Sequence, residues 1–330
     1  MYKYLLIPLL LLAMNGCSQK IVVRAIEPAE VDRATLTRKI SVADFTYDDV
    51  GLANKIETTL LNQKFDNKNY FTLISRRDFN KIIAEQRLQS SGLIESSTAV
   101  QVGSLIGAEA IISGHVADAS SRDTHYYEER SSCVDKKCKE KVVYSVSCVR
   151  RSVSLSADIR MVDVAKGDII YADTLARGSK WSHCRGDYGS LPTEGSALQI
   201  LVEDIAVDFA RKITPHYRYF EVFLLEKPDI SYSNEAERLL ESSVEYIKQS
   251  RYDKAERLLI ELVDLTEQKS YVPFYNLGVI KEAQADYKEA KKYYEMSDNL
   301  AKEPVKEIDR AYLRIQDLIS KNARVKNQLQ

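Results

Sequence analysis

A second long apolar run is missing from this chain. Beyond the first 16 residues nothing approaches the ~20 consecutive apolar residues of a membrane-spanning helix, so no transmembrane helix is expected downstream. The strands of a β-barrel are short and alternating, and that test does not exclude them. An excess of charge of one sign is missing too. Lys plus Arg total 47 against 48 Asp plus Glu, so no overall field draws in nucleic acid, and none is expected as a partner. Residues that carry chemistry are few. The four histidines (His115, His125, His183, His216) are scattered, and no phosphate loop, G-x-S-x-G or H-E-x-x-H occurs. His115 beside an expected strand and Glu85 on an expected helix are more simply structural. We expect no catalytic residue, no metal and no cofactor, and take the chain to be a non-enzyme.

The first 16 residues form a secretory signal. Lys3 supplies positive charge, Leu5 to Met14 is apolar apart from Pro8, and small Gly16 precedes Cys17. Met14-Asn15-Gly16-Cys17 resembles the lipobox of bacterial lipoproteins, departing from it at Met14, where Leu is usual. The resemblance implies cleavage before Cys17 and acylation of its thiol, with palmitate among the chains. Each buried methylene contributes ~0.8 kcal/mol, so several chains anchor stably. The alternative is an ordinary secreted protein with an incidental cysteine. Ser18 is compatible with sorting to the outer membrane, facing the periplasm. Residues 17–38 are polar and mixed, and are expected to be a lipidated tether.

The other four cysteines, Cys133, Cys138, Cys148 and Cys184, form an even set in an exported chain, which favours two disulfides with three connectivities open. A metal site of these thiols with His183 is the competing arrangement, but C-x4-C followed by nine residues to Cys148 fits no zinc spacing well.

From Lys39 to Glu226 short strands alternate with amphipathic helices. Strands are expected over 40–45, 70–74, 110–116, 153–161 and 169–175, the last two joined by the turn Ala165-Lys166-Gly167-Asp168. Helices are expected over 50–61, after a cap at Asp78, over 98–106 with Gly107 as the stop, and over 197–213. This pattern is an α/β sandwich, a mixed sheet with packed helices. Phe71-Thr72-Leu73-Ile74-Ser75-Arg76-Arg77-Asp78-Phe79, then Glu85-Gln86, Ser91-Gly92, and Gly103 with Ile106-Gly107-Ala108-Glu109, Ile111-Ile112 and Gly114, resembles the CsgG family over roughly 39–219. That resemblance implies an outer-membrane lipoprotein of envelope export or assembly. In the family's channel member, two hairpins per subunit join a shared barrel.

Two insertions, about 118–151 and 174–194, sit at comparable places here. In the first, Val142, Tyr144, Val146 and Cys148 alternate with Val143, Ser145, Ser147 and Val149, but the opposing arm, 122–130, offers no apolar face. The second is short, polar and glycine-rich. Both carry cysteines, which describes a stapled cap outside the bilayer better than a membrane hairpin. Trp181, the only tryptophan, and Tyr188 lie in the second insertion and are candidate anchors for a partner, although such a Trp more often packs over its own loop.

Past the linker Lys227-Pro228-Asp229 the chain reads as helical only. Phe274, Leu277, Gly278, Ala285, Tyr287, Ala290, Tyr294, Leu300 and Pro304 resemble tetratricopeptide spacing, and a weaker copy lies upstream, with Ala255 to Ala290 separated by 35 residues. Two such repeats plus a cap helix are expected over 231–324, an all-α domain whose concave face would offer Phe274, Tyr275 and Tyr287 to a periplasmic or secreted protein. The sequence therefore points to a CsgG-type outer-membrane lipoprotein acting through protein contacts, with homo-oligomerisation open. The alternative is a non-pore activator or scaffold of an envelope enzyme such as a peptidoglycan synthase.

Overall fold

The computed structural model describes residues 19–65, 67–76, 80–81 and 94–329. Cys17 and the expected signal segment lie outside them, as do Asp78, Phe79, Glu85, Gln86, Ser91 and Gly92. The chain divides into two compact units. One comprises residues 28–216 with 325–329, and the other residues 19–27 with 217–324.

In the first unit the elements are β2 (Lys39–Val42), α1 (Leu52–Leu61), a small hairpin of β3 (Lys64–Phe65) and β4 (Lys68–Asn69), β5 (Thr72–Ile74), α2 (Ser96–Ile106), β6 (Ala110–Cys133), β7 (Lys141–Asp163), β8 (Ile169–Cys184) and α3 (Glu194–Ile213). The main sheet has the order β5-β2-β6-β7-β8. β2 runs parallel to β5 and β6, whereas β6-β7 and β7-β8 are antiparallel. The sheet is thus mixed and covered by helices on both faces. Val153, Leu155, Ala157, Ile159 and Met161 share one face, by the period of two that the sequence shows. They pack against Leu201, Ile205 and Phe209 of α3 and Ile56 of α1. Ile111, Val162 and Val164 face the other way, onto Ala99 and Val102 of α2.

Local chemistry sets the helix ends. Both carboxylate oxygens of Asp48 accept from the first amides of α1, from Leu52 at 2.7 Å and Ala53 at 2.8 Å. Gly107 ends α2 at φ +71°, as its place in the pattern requires. Gly114 is required by a neighbouring side chain. A Cβ there would meet the Phe45 ring at 2.3 Å, and that ring is buried. Gly114→Ala is therefore expected to lose about 1–3 kcal/mol by overpacking, read as a lower urea midpoint with an unchanged slope.

The second unit holds β1 (Lys20–Glu27), which pairs with β9 (His216–Phe223), and the helices α4 (Asn234–Lys248), α5 (Tyr252–Leu265), α6 (Tyr271–Ala283), α7 (Tyr287–Leu300) and α8 (Lys306–Leu329). Part of the expected tether is thus a strand. Ile21, Val23 and Ala25 alternate inward and are buried with Val222 and Leu224. The pattern is only eight residues long and its partner lies almost 200 residues away, so nothing local announces it. Asn276 acts as a surrogate strand: its side chain donates to the Leu225 carbonyl at 2.8 Å and accepts from its amide at 3.1 Å. The last residues of α8 count with the α/β unit, where the Gln328 side chain and the Ala29 backbone exchange two hydrogen bonds of 2.9 and 3.0 Å. Among the described residues no helix is long and apolar enough to cross a membrane.

Candidate interaction surfaces

The two supposed insertions are extensions of core strands. β6 and β7 stay in register from Ala110↔Asp163 to Cys133↔Lys141, interrupted by one irregularity between Val116 and Asp118. β8 follows β7 as far as Cys148↔Cys184. A three-stranded ribbon results, continuous with the sheet. β2 accompanies β6 only over its first residues, and Thr46 bridges to His115. From Asp118 to Cys133 the outer edge of β6 therefore has no neighbouring strand among the described residues, and neither does the outer edge of β8. Unpaired edges of this length are templates for a further strand.

Two disulfides fix the ribbon. Cys148–Cys184 joins β7 to the end of β8, and Cys133–Cys138 closes the turn at the far end. The first links the two regions that the sequence treats as insertions. Glu128 lies beside the Cys148–Cys184 pair, with all the potential ligand atoms within 4.8 Å, but both sulfurs are spent on each other and offer no thiolate. His183, the other ligand considered, neighbours Cys184 in the strand and so points to the opposite face. An ionic clasp lies next to this staple. Arg130 donates to both carboxylate oxygens of Asp187, at 2.5 and 3.2 Å, and Asp187 also accepts from the Cys184 amide at 3.0 Å. The Arg130 guanidinium and that amide hold the Asp187 carboxyl at about 2. A depressed carboxyl pKa stabilises at pH above the ordinary carboxylate range. The clasp is thus intact at neutral pH and lost only as pH falls through about 2.

Neither face of the ribbon's middle is apolar. Asp118, Arg122, Arg150 and Lys180 occupy one face, around a hollow of about 820 Å³ left by the small side chains Ser120, Ser152, Ser154 and Gly178. On the other, Arg151 donates to Asp123 at 2.6 and 2.8 Å and to the Pro192 carbonyl at 2.7 Å, and Arg177 pairs with Asp208 of α3. Trp181 stands on this second face, half-buried against the core, so it packs on its own unit instead of projecting. Tyr188 is fully exposed in the loop after β8.

In the helical unit the three aromatic candidates separate. Tyr275 is buried and donates to the Phe223 carbonyl at 2.9 Å, and Tyr287 is buried as well. Both belong to the core and are removed from the list of partner anchors. Phe274 is buried but lines a groove of about 580 Å³ with Ile260, Val263, Leu277, Met296 and Leu300. Ile260 and Met296 are the exposed apolar part of that lining. A periodic apolar stripe could have named them, but every stripe residue reads alike until the helices are paired.

The residues that carry the family-like pattern hold structure together. Arg76 reaches Glu57 and Asn54 of α1, each at 2.6 Å, and the Val42 carbonyl, tying β2 to its helix. A Glu109 carboxylate oxygen accepts from the amides of Arg38 and Lys39. Two solved structures are similar over much of their length. The PelC dodecamer from Paraburkholderia phytofirmans has 12% identity and a TM-score of 0.26, covering 59% of this chain and 99% of that one. A hypothetical protein, CT253 from Chlamydia trachomatis, has 11% identity and a TM-score of 0.27, covering 54% and 98%. No protein of curated function matches. Residues 26–185, from the end of β1 to the residue after β8, match the family model described as "Curli production assembly/transport component CsgG".

Proposed function

We propose that this chain is a lipid-anchored envelope protein, facing the periplasm from the outer membrane, that acts in export or assembly through protein–protein contacts. The observation that carries this reading is the CsgG-type segment with its stapled ribbon and two unpaired edges. The sequence of the first 17 residues supports the anchor. The helical unit, with the exposed residues of its groove, is where a tetratricopeptide-like domain would take a partner's apolar side chain.

A second reading keeps the same partners without a pore, and the ribbon favours it. A membrane barrel strand turns one face to lipid, and a charged residue there costs about 2–4 kcal/mol near the midplane. Both faces of this ribbon carry several such residues, so neither suits the hydrocarbon. Repeats of the ribbon would form a collar or scaffold outside the bilayer.

Two measurements test this. Exported behind a signal segment whose cleavage does not depend on Cys17, the Cys17→Ala chain is expected to move from the membrane fraction to the soluble one in high salt, where surface electrostatics are screened. Retention in the membrane would remove the lipid anchor from the account. The purified Cys17→Ala chain is expected to stay soluble and monodisperse without detergent. Detergent-dependent rings with a transmembrane barrel in electron micrographs would overturn the non-pore reading.

A further inference from the structure

The far end of the ribbon has a composition that its polar middle does not. Every residue from 131 to 145 is exposed, so nothing in its own unit packs against it. Within that stretch Val134, Val142, Val143 and Tyr144 are 45–64% exposed. Val142 and Tyr144 lie on one face and Val143 on the other, since strand neighbours alternate. Lys136, Lys137, Lys139 and Lys141 lie among these apolar groups. Two carboxylates lie among them, Glu140 between Lys139 and Lys141, and Asp135, which accepts from the amides of Lys137 and Lys139 at 2.8 and 3.0 Å, so the lysines outnumber the acids four to two. None of the four ammonium groups has an ion pair among the described residues.

A two-stranded hairpin is marginal alone in water. This one is nevertheless held at both ends, by Cys133–Cys138 at the turn and by Cys148–Cys184 with the Arg130–Asp187 clasp where the third strand stops. From Asp118 to Cys133 the ribbon carries its end about 50 Å at ~3.3 Å per residue. The fold thus presents a rigid tip, apolar on two faces and cationic around them.

We propose that this tip binds an anionic lipid surface, with Val142, Val143 and Tyr144 in the interfacial layer and the four lysines on the headgroup phosphates. The charge complements such a surface, and long lysine side chains place ammonium groups in water beside buried apolar neighbours. A protein partner on one side of a flat hairpin would cover one face and leave the other wet, whereas an interfacial layer surrounds both. The contact is independent of the lipid on Cys17 and involves only the tip, not the charged middle of the ribbon.

The test uses the chain from position 17 onward carrying Cys17→Ala, so that neither the signal segment nor an acyl chain contributes. It is sedimented with vesicles of phosphatidylglycerol and phosphatidylcholine, and with phosphatidylcholine alone. Binding to the anionic vesicles is expected, weaker in high salt and weak on the neutral ones. Each lysine is worth about fivefold near an anionic surface, so reversing all four (K136E, K137E, K139E, K141E) is expected to lower the partition coefficient at least a hundredfold. Val142→Ser with Tyr144→Ser is expected to lower it on both vesicle types. An unchanged melting transition and no free thiol certify that the variants are folded. Equal binding of the four-lysine variant, or equal binding to both vesicle types, overturns the proposal. So does a wild-type chain that ignores vesicles and captures a protein through its tip.

Discussion

Glu282→Ala is expected to cost about 3–5 kcal/mol and to unfold much of the helical unit at temperatures the parent tolerates. Glu282 is completely buried in α6. It accepts from Arg314 Nε at 2.6 Å and Nη2 at 2.9 Å, and from the Tyr294 hydroxyl at 2.5 Å. Burial, with the Glu282 carboxylate as neighbour, pushes the Tyr294 hydroxyl well above its ordinary value, so it remains a donor at any working pH. Truncation at 282 leaves a largely buried guanidinium without its anion and a buried hydroxyl without its acceptor, the situation in which removing one partner costs far more than the pair contributes. Gln at 282 keeps the shape and one acceptor and is expected to lose less. The decisive comparison is the double variant Glu282→Met with Arg314→Met, expected to be more stable than Glu282→Ala because no charge is stranded. Urea unfolding of the three variants checks this. A loss under ~1 kcal/mol for Glu282→Ala would falsify the assignment of this pair as a buried tie between α6 and α8.

The second large effect belongs to the staple. Cys148 and Cys184 are separated by 36 residues. Closing a loop of that length in the unfolded chain is worth about 4 kcal/mol in the chain-entropy account, so Cys148→Ser with Cys184→Ser is expected to destabilise the α/β unit by about 3–4 kcal/mol. Cys133 and Cys138 close only 5 residues, and the same account gives about 2 kcal/mol for their removal. Thermal unfolding ranks the two variants. Hydrogen exchange locates the effect: amides at the end of β8 lose protection in the first variant, and only the tip does in the second. The reverse ranking would show that the tip, not the staple, limits unfolding.

Much of the α/β unit was legible because its signals are local. Val153 to Met161 alternates strictly, Val50 to Leu61 has helical spacing, and Gly107 stops a helix by its backbone freedom. What was not legible depends on partners far away in sequence. Ile21, Val23 and Ala25 look like a polar tether until β9 is beside them. The stretch 122–130 reads as an arm with no apolar face and so as part of an insertion, but a strand needs only a neighbour's backbone, and β7 provides it for the whole length. Composition identifies a buried face well and a solvated ribbon poorly. Among the site residues, the four cysteines were readable as two bridges, with pairing left open. Tyr275 and Tyr287 were misplaced as partner anchors, because aromatic residues at repeat spacing fill cores more often than they line surfaces.

The ribbon has an odd number of strands, and that parity has a consequence for assembly. β6 and β8 each run antiparallel to β7, so they run in the same direction as one another. Copies joined edge to edge around a ring would therefore meet as parallel neighbours at every junction. Membrane barrels of the outer-membrane type alternate strand direction throughout. A collar built from this subunit would close by a different rule: antiparallel within each copy and parallel between copies, with slanted hydrogen bonds only at the seams.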